Sequence, residues 1–471
     1  MSLKKDLSYF DLTNIVVGAI VGSDIYIASA ITAGLIGPFS IIVWVVAGIV
    51  ATILAMVFAY SSYYVPRVGG SFAYVSAAFD EFWGFLAGWS MWVAEVLSLP
   101  VFALTFTNYL QYYVPLNLAG QLLVKGASLF GLTAVNIFGV KAAGRLNDVL
   151  TLSKLMPLLL IVAVGLGSFL YAPSRFVSNY TPLLPSGLGN FGTALVLVFW
   201  AYVGFELGTL PAGEVQDPKK TIPKAIVSGM AIVTFFYLST NFVIFGAVSS
   251  PELAGTLVPL VIVSLALLGA MGATIVSVGA LVSVSGSDES GMLGTGRLTY
   301  AMAIDGLFPK AFARLHSKFN TPYVALTVQA VIAFALSTFS GLQNLISFAV
   351  FNLAFSFLLV SLSFSVLKKS GEKGLYGQSV LPWLGVGICL YLLYSTTLLD
   401  KIAGSIVVLL GIPLYVFFSP KTDISHLKAL FVSEEAILSS NLQKKNRFLA
   451  NLVRLSAAGY KRARRKQVPQ R

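Results

Sequence analysis

Apolar residues in this chain of 471 recur in long, nearly unbroken runs, not in the stripes or alternations of a soluble fold. A membrane-crossing helix needs about 20 mostly apolar residues. Twelve runs meet that length, near 10–34, 38–61, 82–111, 124–140, 149–171, 190–213, 224–248, 269–293, 322–340, 343–367, 379–398 and 402–419. Residues 257–267 read as a short external helix packed before the eighth span. An even count puts both ends of the chain on one side. The pattern predicts an all-α integral membrane fold over 1–419 and a separate segment over 420–471.

Composition supports that class. Apolar residues make up 57% of the chain and charged residues 11%, where a soluble surface takes roughly a quarter. Charge adds an orientation. With both termini inside, 27 of the 31 Lys and Arg residues fall in inside segments, and only Lys125, Arg175 and Lys401 fall outside; Lys154 lies within a span. Cytoplasmic segments carry such an excess, so both termini are expected in the cytoplasm of a cell-membrane protein. The net charge of +12 is explained by topology and calls for no nucleic-acid partner. The charged start, 1–7, shows no cleavage site, so the first span is expected to act as its own uncleaved signal. A single cysteine, Cys389, allows no internal disulfide. His316 and His426 lie far apart in polar stretches, so no metal site or other cofactor is expected.

In the tail, Leu438, Leu442, Leu449 and Leu452 recur at helical spacing among Lys444, Lys445 and Arg447, ahead of a basic end. This fits an amphipathic helix on anionic lipids of the inner leaflet. It fits equally a solvated tail without a role.

Two spans carry glycine-rich interruptions, Gly18-Ala-Ile-Val-Gly22-Ser23-Asp24 in the first and Trp200-Ala-Tyr-Val-Gly204-Phe205-Glu206 in the sixth. Each opens a block of five spans, and paired breaks at matching positions point to an inverted-repeat transporter with its site at the breaks. A broken helix frees N–H groups at one new end and C=O groups at the other. The first suits a carboxylate and the second an ammonium, the two groups of an amino acid. The alternative is that Gly22 and Gly204 only allow close helix packing.

These stretches resemble the amino acid–polyamine–organocation (APC) transporter superfamily. The first-span motif, extended to Ile25 and Tyr26, is similar to that family's signature. So is Pro66-Arg67-Val-Gly69-Gly70-Ser-Phe-Ala-Tyr74 after the second span. The sixth span from Phe199, with Glu214-Val-Gln-Asp217-Pro218 and on to Pro223, resembles the family's sixth span and following loop. Arg297-Leu-Thr-Tyr300 through Asp305, Gly306, Pro309 and Lys310 resembles its loop after the eighth. The likeness spans about 10–420. It implies two inverted five-helix repeats, about 9–171 and 190–367, with discontinuous first and sixth helices and two extra helices over 379–419. It implies that backbone amides of Ser23 and Asp24 hold a substrate carboxylate beside Gly22. Carbonyls near Ile20, Trp200 and Val203 would hold the amine. The Trp200 ring would act as a gate, and Glu206, beside Gly204, would hold or sense the second break. Asp24 departs from the family, which has glycine there. Its carboxylate either recruits a cationic group, shares a proton, or caps the new helix start.

Ionisable residues inside a membrane are costly and mark function. Besides Asp24 and Glu206 there are Glu95, Lys154, Asp288 and Glu289. Lys154 lies roughly 9 Å into the fifth span at 1.5 Å per residue, a depth that Asp288 or Glu289 in the eighth can share. The resemblance implies that a lysine here replaces the sodium ion of sodium-coupled relatives. Transport is then expected to be proton-driven and sodium-independent; snorkelling of Lys154 to the inner surface is the alternative. Glu95 either lines the pathway or bonds a neighbouring helix. Gly272, Gly279 and Gly286, seven apart, read as a packing face.

The expected function is secondary active transport of an amino acid or related amine by alternating access. Competing readings are a polyamine or organic-cation carrier, an uncoupled facilitator, and a non-transporting nutrient sensor. No Gly-x-Ser-x-Gly elbow, HExxH or phosphate loop supports an enzyme. Paired helix breaks argue against a channel.

Overall fold

The structure, a computed structural model, describes residues 8–66, 69–138, 140–185, 187–209, 215–368 and 377–418, without the side chains of 140–154. Every regular element among them is helical. The side chain of Lys154, residues Arg67 and Glu214 of the family-like motifs, and the basic tail lie outside the described residues.

The chain enters through α1 (Tyr9–Ile20). Its first turn is closed by a capping box: the Asp11 amide donates to Ser8 Oγ at 3.3 Å and the Ser8 amide to Asp11 Oδ2 at 2.9 Å, satisfying N–H groups that a helix start leaves bare. A break leads into α2 (Ala28–Ile36) and a turn into α3 (Ser40–Tyr64). Short α4 (Gly70–Ala78) precedes α5 (Glu81–Gln111), which Asp80 caps by accepting from the Trp83 amide at 3.0 Å. Next come α6 (Leu118–Phe138), α7 (Val140–Tyr171) and α8 (Pro173–Asn179); the last two are bent by 108°. The second half opens with α9 (Phe191–Ala201) and a 3-10 turn over Phe205–Thr209. It continues through α10 (Pro218–Ala247), short α11 (Ser250–Ala254) and α12 (Pro259–Ile304). The chain closes with α13 (Tyr323–Phe339), α14 (Leu342–Leu367), α15 (Leu381–Ser395) and α16 (Leu398–Phe418). Inside α12 the backbone leaves helical geometry at Gly269, which separates a leading segment close to the expected 257–267 from the long run after it.

Among the described residues, seven helical runs are long and apolar enough to cross a membrane, with Ala28–Tyr64 counted as one, and an eighth if α8 completes Leu155–Tyr171. The shorter apolar helices α9, α13 and α15 fall on three more of the expected runs. The protein is a multi-span, all-helical membrane protein. One compact unit reaches Tyr415; Val416 begins a second. Within the first unit, α5 packs on α14 and α12, α10 on α3 and α1, and α12 on α7. The α7–α12 contact is tight, since Gly279 leaves no room for a Cβ against Pro157.

Lys125 corrects one expectation. It reads as an outer-loop cation, yet it is buried within α6 and donates to the Ser337 carbonyl in the last turn of α13 at 2.9 Å. A lysine at a helix C-terminus satisfies a spare carbonyl and the negative end of the helix dipole. Lys154 is therefore not the sole cation inside an apolar run, and α6 begins at Leu118, ahead of the expected 124.

Candidate functional site

The first break begins where α1 runs out of partners. The last α-helical bond runs from the Val21 amide to the Val17 carbonyl at 2.9 Å. Gly22 follows, and a Cβ there would collide with Ser287 of α12. A larger residue there would have to push the Ser287 side chain aside, and the glycine lets the eighth expected span press against the break. A tight turn over Asp24–Tyr26 then restarts the helix, with Ser23 in its cap position. The freed carbonyls meet hydroxyls from other helices. Tyr237 of α10 donates to the Ile20 carbonyl at 3.0 Å, and Tyr109 of α5 to the Tyr26 carbonyl at 2.8 Å.

The second break is built differently. The Tyr202 and Val203 amides close the last turn of α9 on the Phe199 and Trp200 carbonyls, each at 3.0 Å. Gly204 then takes φ +121°, a region closed to residues with a side chain. Its amide donates to Glu206 Oε2 at 3.0 Å. A Cβ on Gly204 would lie 2.9 Å from the Ala19 carbonyl oxygen and 3.2 Å from the Ile20 amide nitrogen. The two breaks therefore meet backbone to backbone.

Around this meeting point the structure collects residues from several helices. Ile20, Ser23, Asp24, Trp200 and Glu206 are all buried. Trp200 Nε1 donates to Ser98 Oγ on α5 at 3.3 Å, and its ring lies over Phe102 at 6.0 Å and 29°. Tyr202 donates to the Trp44 carbonyl at 3.1 Å and packs on Tyr237. The Asp24 carboxyl is close enough to the Tyr237 hydroxyl to act on it electrostatically. Glu95, one turn before Ser98 on α5, is likewise within electrostatic reach of Glu206. Ser23 Oγ and Glu206 Oε1 are buried without a hydrogen-bond partner among the described residues. A buried polar atom left unpaired is costly, and such atoms beside two open helix ends are places where a bound polar molecule is complementary.

Asp288 and Glu289 follow Ser287 on α12 and are buried. They belong to the helix that touches the first break. Lys154 occupies α7 one turn before Pro157, on the helix that packs against α12; its side chain is outside the described residues. Four participants have no signal in the sequence: Tyr237, Tyr109, Ser98 and Ser287. Each is one of several polar groups in its helix, and only the packing reveals which carbonyl, indole or glycine it serves.

The comparisons with known proteins agree with this architecture. The profile of the amino acid permease family matches residues 7–418. The chain belongs to that family. The methylthioribose transporter of Bacillus subtilis is 28% identical over 443 residues, covering 89% of this chain and 94% of its own. The branched-chain amino acid permease BcaP of the same organism is 28% identical, with the same coverage of both chains. The large neutral amino acids transporter small subunit 2 of Mus musculus is 30% identical over 368 residues, 74% of this permease and 68% of the mouse chain.

Proposed function

We propose that this permease carries an amino acid or related amine across the cell membrane by alternating access, with the substrate held between the two helix breaks. The observation that supports this most is the approach of Gly204 to Ala19 and Ile20. It brings the carbonyl end of α1 and the turn before Glu206 into one volume. The Ile20 carbonyl uses one lone pair on the Tyr237 hydroxyl and keeps a second for an ammonium group. Amides of Ser23 and Asp24 are assigned to the carboxylate. In this reading the helices form twelve spans in two inverted five-helix blocks plus α15 and α16, with both termini in the cytoplasm. Family membership alone does not name the cargo, since one relative is named for methylthioribose and two for amino acids.

Asp24, Glu95 and Glu206 favour a second reading within the same class, a basic amine as cargo. Three carboxyl groups near one apolar volume attract a cation more than a neutral side chain. Replacing Asp24 by Gly should then shift preference from basic amines to neutral amino acids. An unchanged ranking of substrates removes Asp24 from the specificity residues.

Coupling is assigned to protons. A lysine ammonium contributed by Lys154 of α7 would repel a sodium ion and occupy its volume, and the lysine with the acids Asp288 and Glu289 on α12 supplies titratable groups. Uptake into liposomes under separately imposed sodium and pH gradients tests this. Accumulation driven by a proton gradient and lost in Lys154→Ala supports it; accumulation driven by sodium alone refutes it. Flux into such liposomes also separates a transporter from a sensor that only binds.

A further inference from the structure

Away from the helix breaks, a cavity of about 250 Å³ opens between α6, α12, α13 and the segment that joins the last two. Its lining is mostly apolar, from Leu293, Leu315 and Leu326 among others, with Asn136, Arg297 and Tyr300 as polar groups. Arg297 and Tyr300 are three residues apart on α12, so their side chains share one helix face. Arg297 is exposed and pairs with no carboxylate among the described residues. Asn136, near the end of α6, is 1% exposed. Its Nδ2 donates back to the Leu132 carbonyl at 3.0 Å, and its Oδ1 has no partner among the described residues. Thr321 closes the rim by donating to the Ile137 carbonyl at 2.7 Å. The cavity thus offers an unpaired cation and an unpaired acceptor.

The surroundings select the ligand. Lys310, Arg314 and Lys318 occupy the joining segment, at the end of the helices that the charge asymmetry assigns to the inside. Leu315 at the lining and Phe138, two residues beyond Asn136, are 41% and 60% exposed, so exposed apolar side chains lie near the cavity. A free anion has no use for them, whereas acyl chains do. Basic residues at this depth also attract the anionic headgroups of the inner leaflet.

We infer that this cavity is a headgroup site for an inner-leaflet phospholipid that carries a phosphate and a hydroxyl donor, as phosphatidylglycerol does. The phosphate binds Arg297 and the Tyr300 hydroxyl, the headgroup hydroxyl donates to Asn136 Oδ1, and the acyl chains lie along the Leu315 side. The site is separate from the helix breaks, and the inference stands whether or not the cargo assigned above is right.

The test is lipid binding by the purified full-length protein in detergent, read by native mass spectrometry and by thermal stabilisation. The probes are phosphatidylglycerol, phosphatidylmethanol (phosphate without a hydroxyl), phosphatidylcholine, and soluble glycerophosphoglycerol. Phosphatidylglycerol should bind about tenfold tighter than phosphatidylcholine, which shares the phosphate but offers no hydroxyl to Asn136 Oδ1 and sets a choline cation beside Arg297. Arg297→Gln should weaken binding of both lipids and narrow that preference, and Arg297→Lys should keep more of both. Asn136→Leu should retain binding of phosphatidylglycerol but erase its advantage over phosphatidylmethanol. A variant that is retained on gel filtration as a single species gives the reading for the pair. Equal binding of phosphatidylcholine and phosphatidylglycerol to the wild type overturns the inference. So does unchanged lipid preference in both Arg297→Gln and Asn136→Leu. Glycerophosphoglycerol binding as tightly as the lipid also overturns it, because the site would then serve a free anion.

Discussion

At the first break, spare carbonyls of Ile20 and Tyr26 are taken by tyrosine hydroxyls reaching in from α10 and α5. At the second, the Gly204 amide is taken by a carboxylate of the same segment, Glu206, two residues on. The second break carries its own partner and its own backbone constraint. The first depends on what surrounds it. A hydroxyl on a neighbouring helix leaves when that helix moves, whereas Glu206 travels with its own turn. In the proposed site the first break is therefore the part whose hydrogen bonds would exchange with a substrate, and the second the more rigid part.

Gly204→Ala should have the largest effect. A non-glycine residue at φ +121° costs about 1–3 kcal/mol of backbone strain, and the new Cβ also meets the Ala19 carbonyl. The expected outcome is loss of measurable substrate binding together with a lowered melting temperature in detergent. Gly22→Val comes next. The valine side chain has to displace Ser287, so binding should be abolished while the protein still inserts and purifies. Normal affinity in that variant would remove the first break from the site.

Two milder substitutions sharpen the contrast. Glu206→Gln keeps the shape but exchanges a charged acceptor for a neutral one, worth about 1–2 kcal/mol. If the second break is self-supporting, this cost should fall on stability as well as on affinity. Tyr237→Phe removes one neutral donor from the Ile20 carbonyl, about 1 kcal/mol. It should change substrate affinity by roughly fivefold in equilibrium binding, with little change in melting temperature. A stability loss larger than that of Glu206→Gln would reverse the assignment of rigid and exchangeable halves.

Both breaks were legible as sequence because glycine beside an acid, twice, in matching places is a rare arrangement in apolar helices. Helix existence was legible for the same reason that hydropathy works in membranes: lipid satisfies no backbone groups, so apolar runs must be helical. Boundaries were less so. α6 begins at Leu118, ahead of the expected run, after Asn117, which accepts from the Gly120 amide at 2.8 Å, a local cap that carries no apolar signal. Short α4, α8 and α11 left no trace in the apolar pattern because none spans an apolar run. The hydroxyls that complete the site were invisible for a different cause. Tyr237, Tyr109, Ser98 and Ser287 differ in no way from other polar residues in their helices until the fold brings them to a carbonyl, an indole or a glycine.

The most direct measurement of where the substrate sits uses Ser23. Its hydroxyl is buried between the breaks without a partner among the described residues, and the one native cysteine, Cys389, is buried. A Ser23→Cys variant that still takes up substrate should be alkylated by a small thiol reagent, and saturating substrate should slow that reaction at least about tenfold, while an amine that is not transported should leave it unchanged. An alkylation rate at the introduced thiol that is the same with and without saturating substrate would contradict a site between the two breaks.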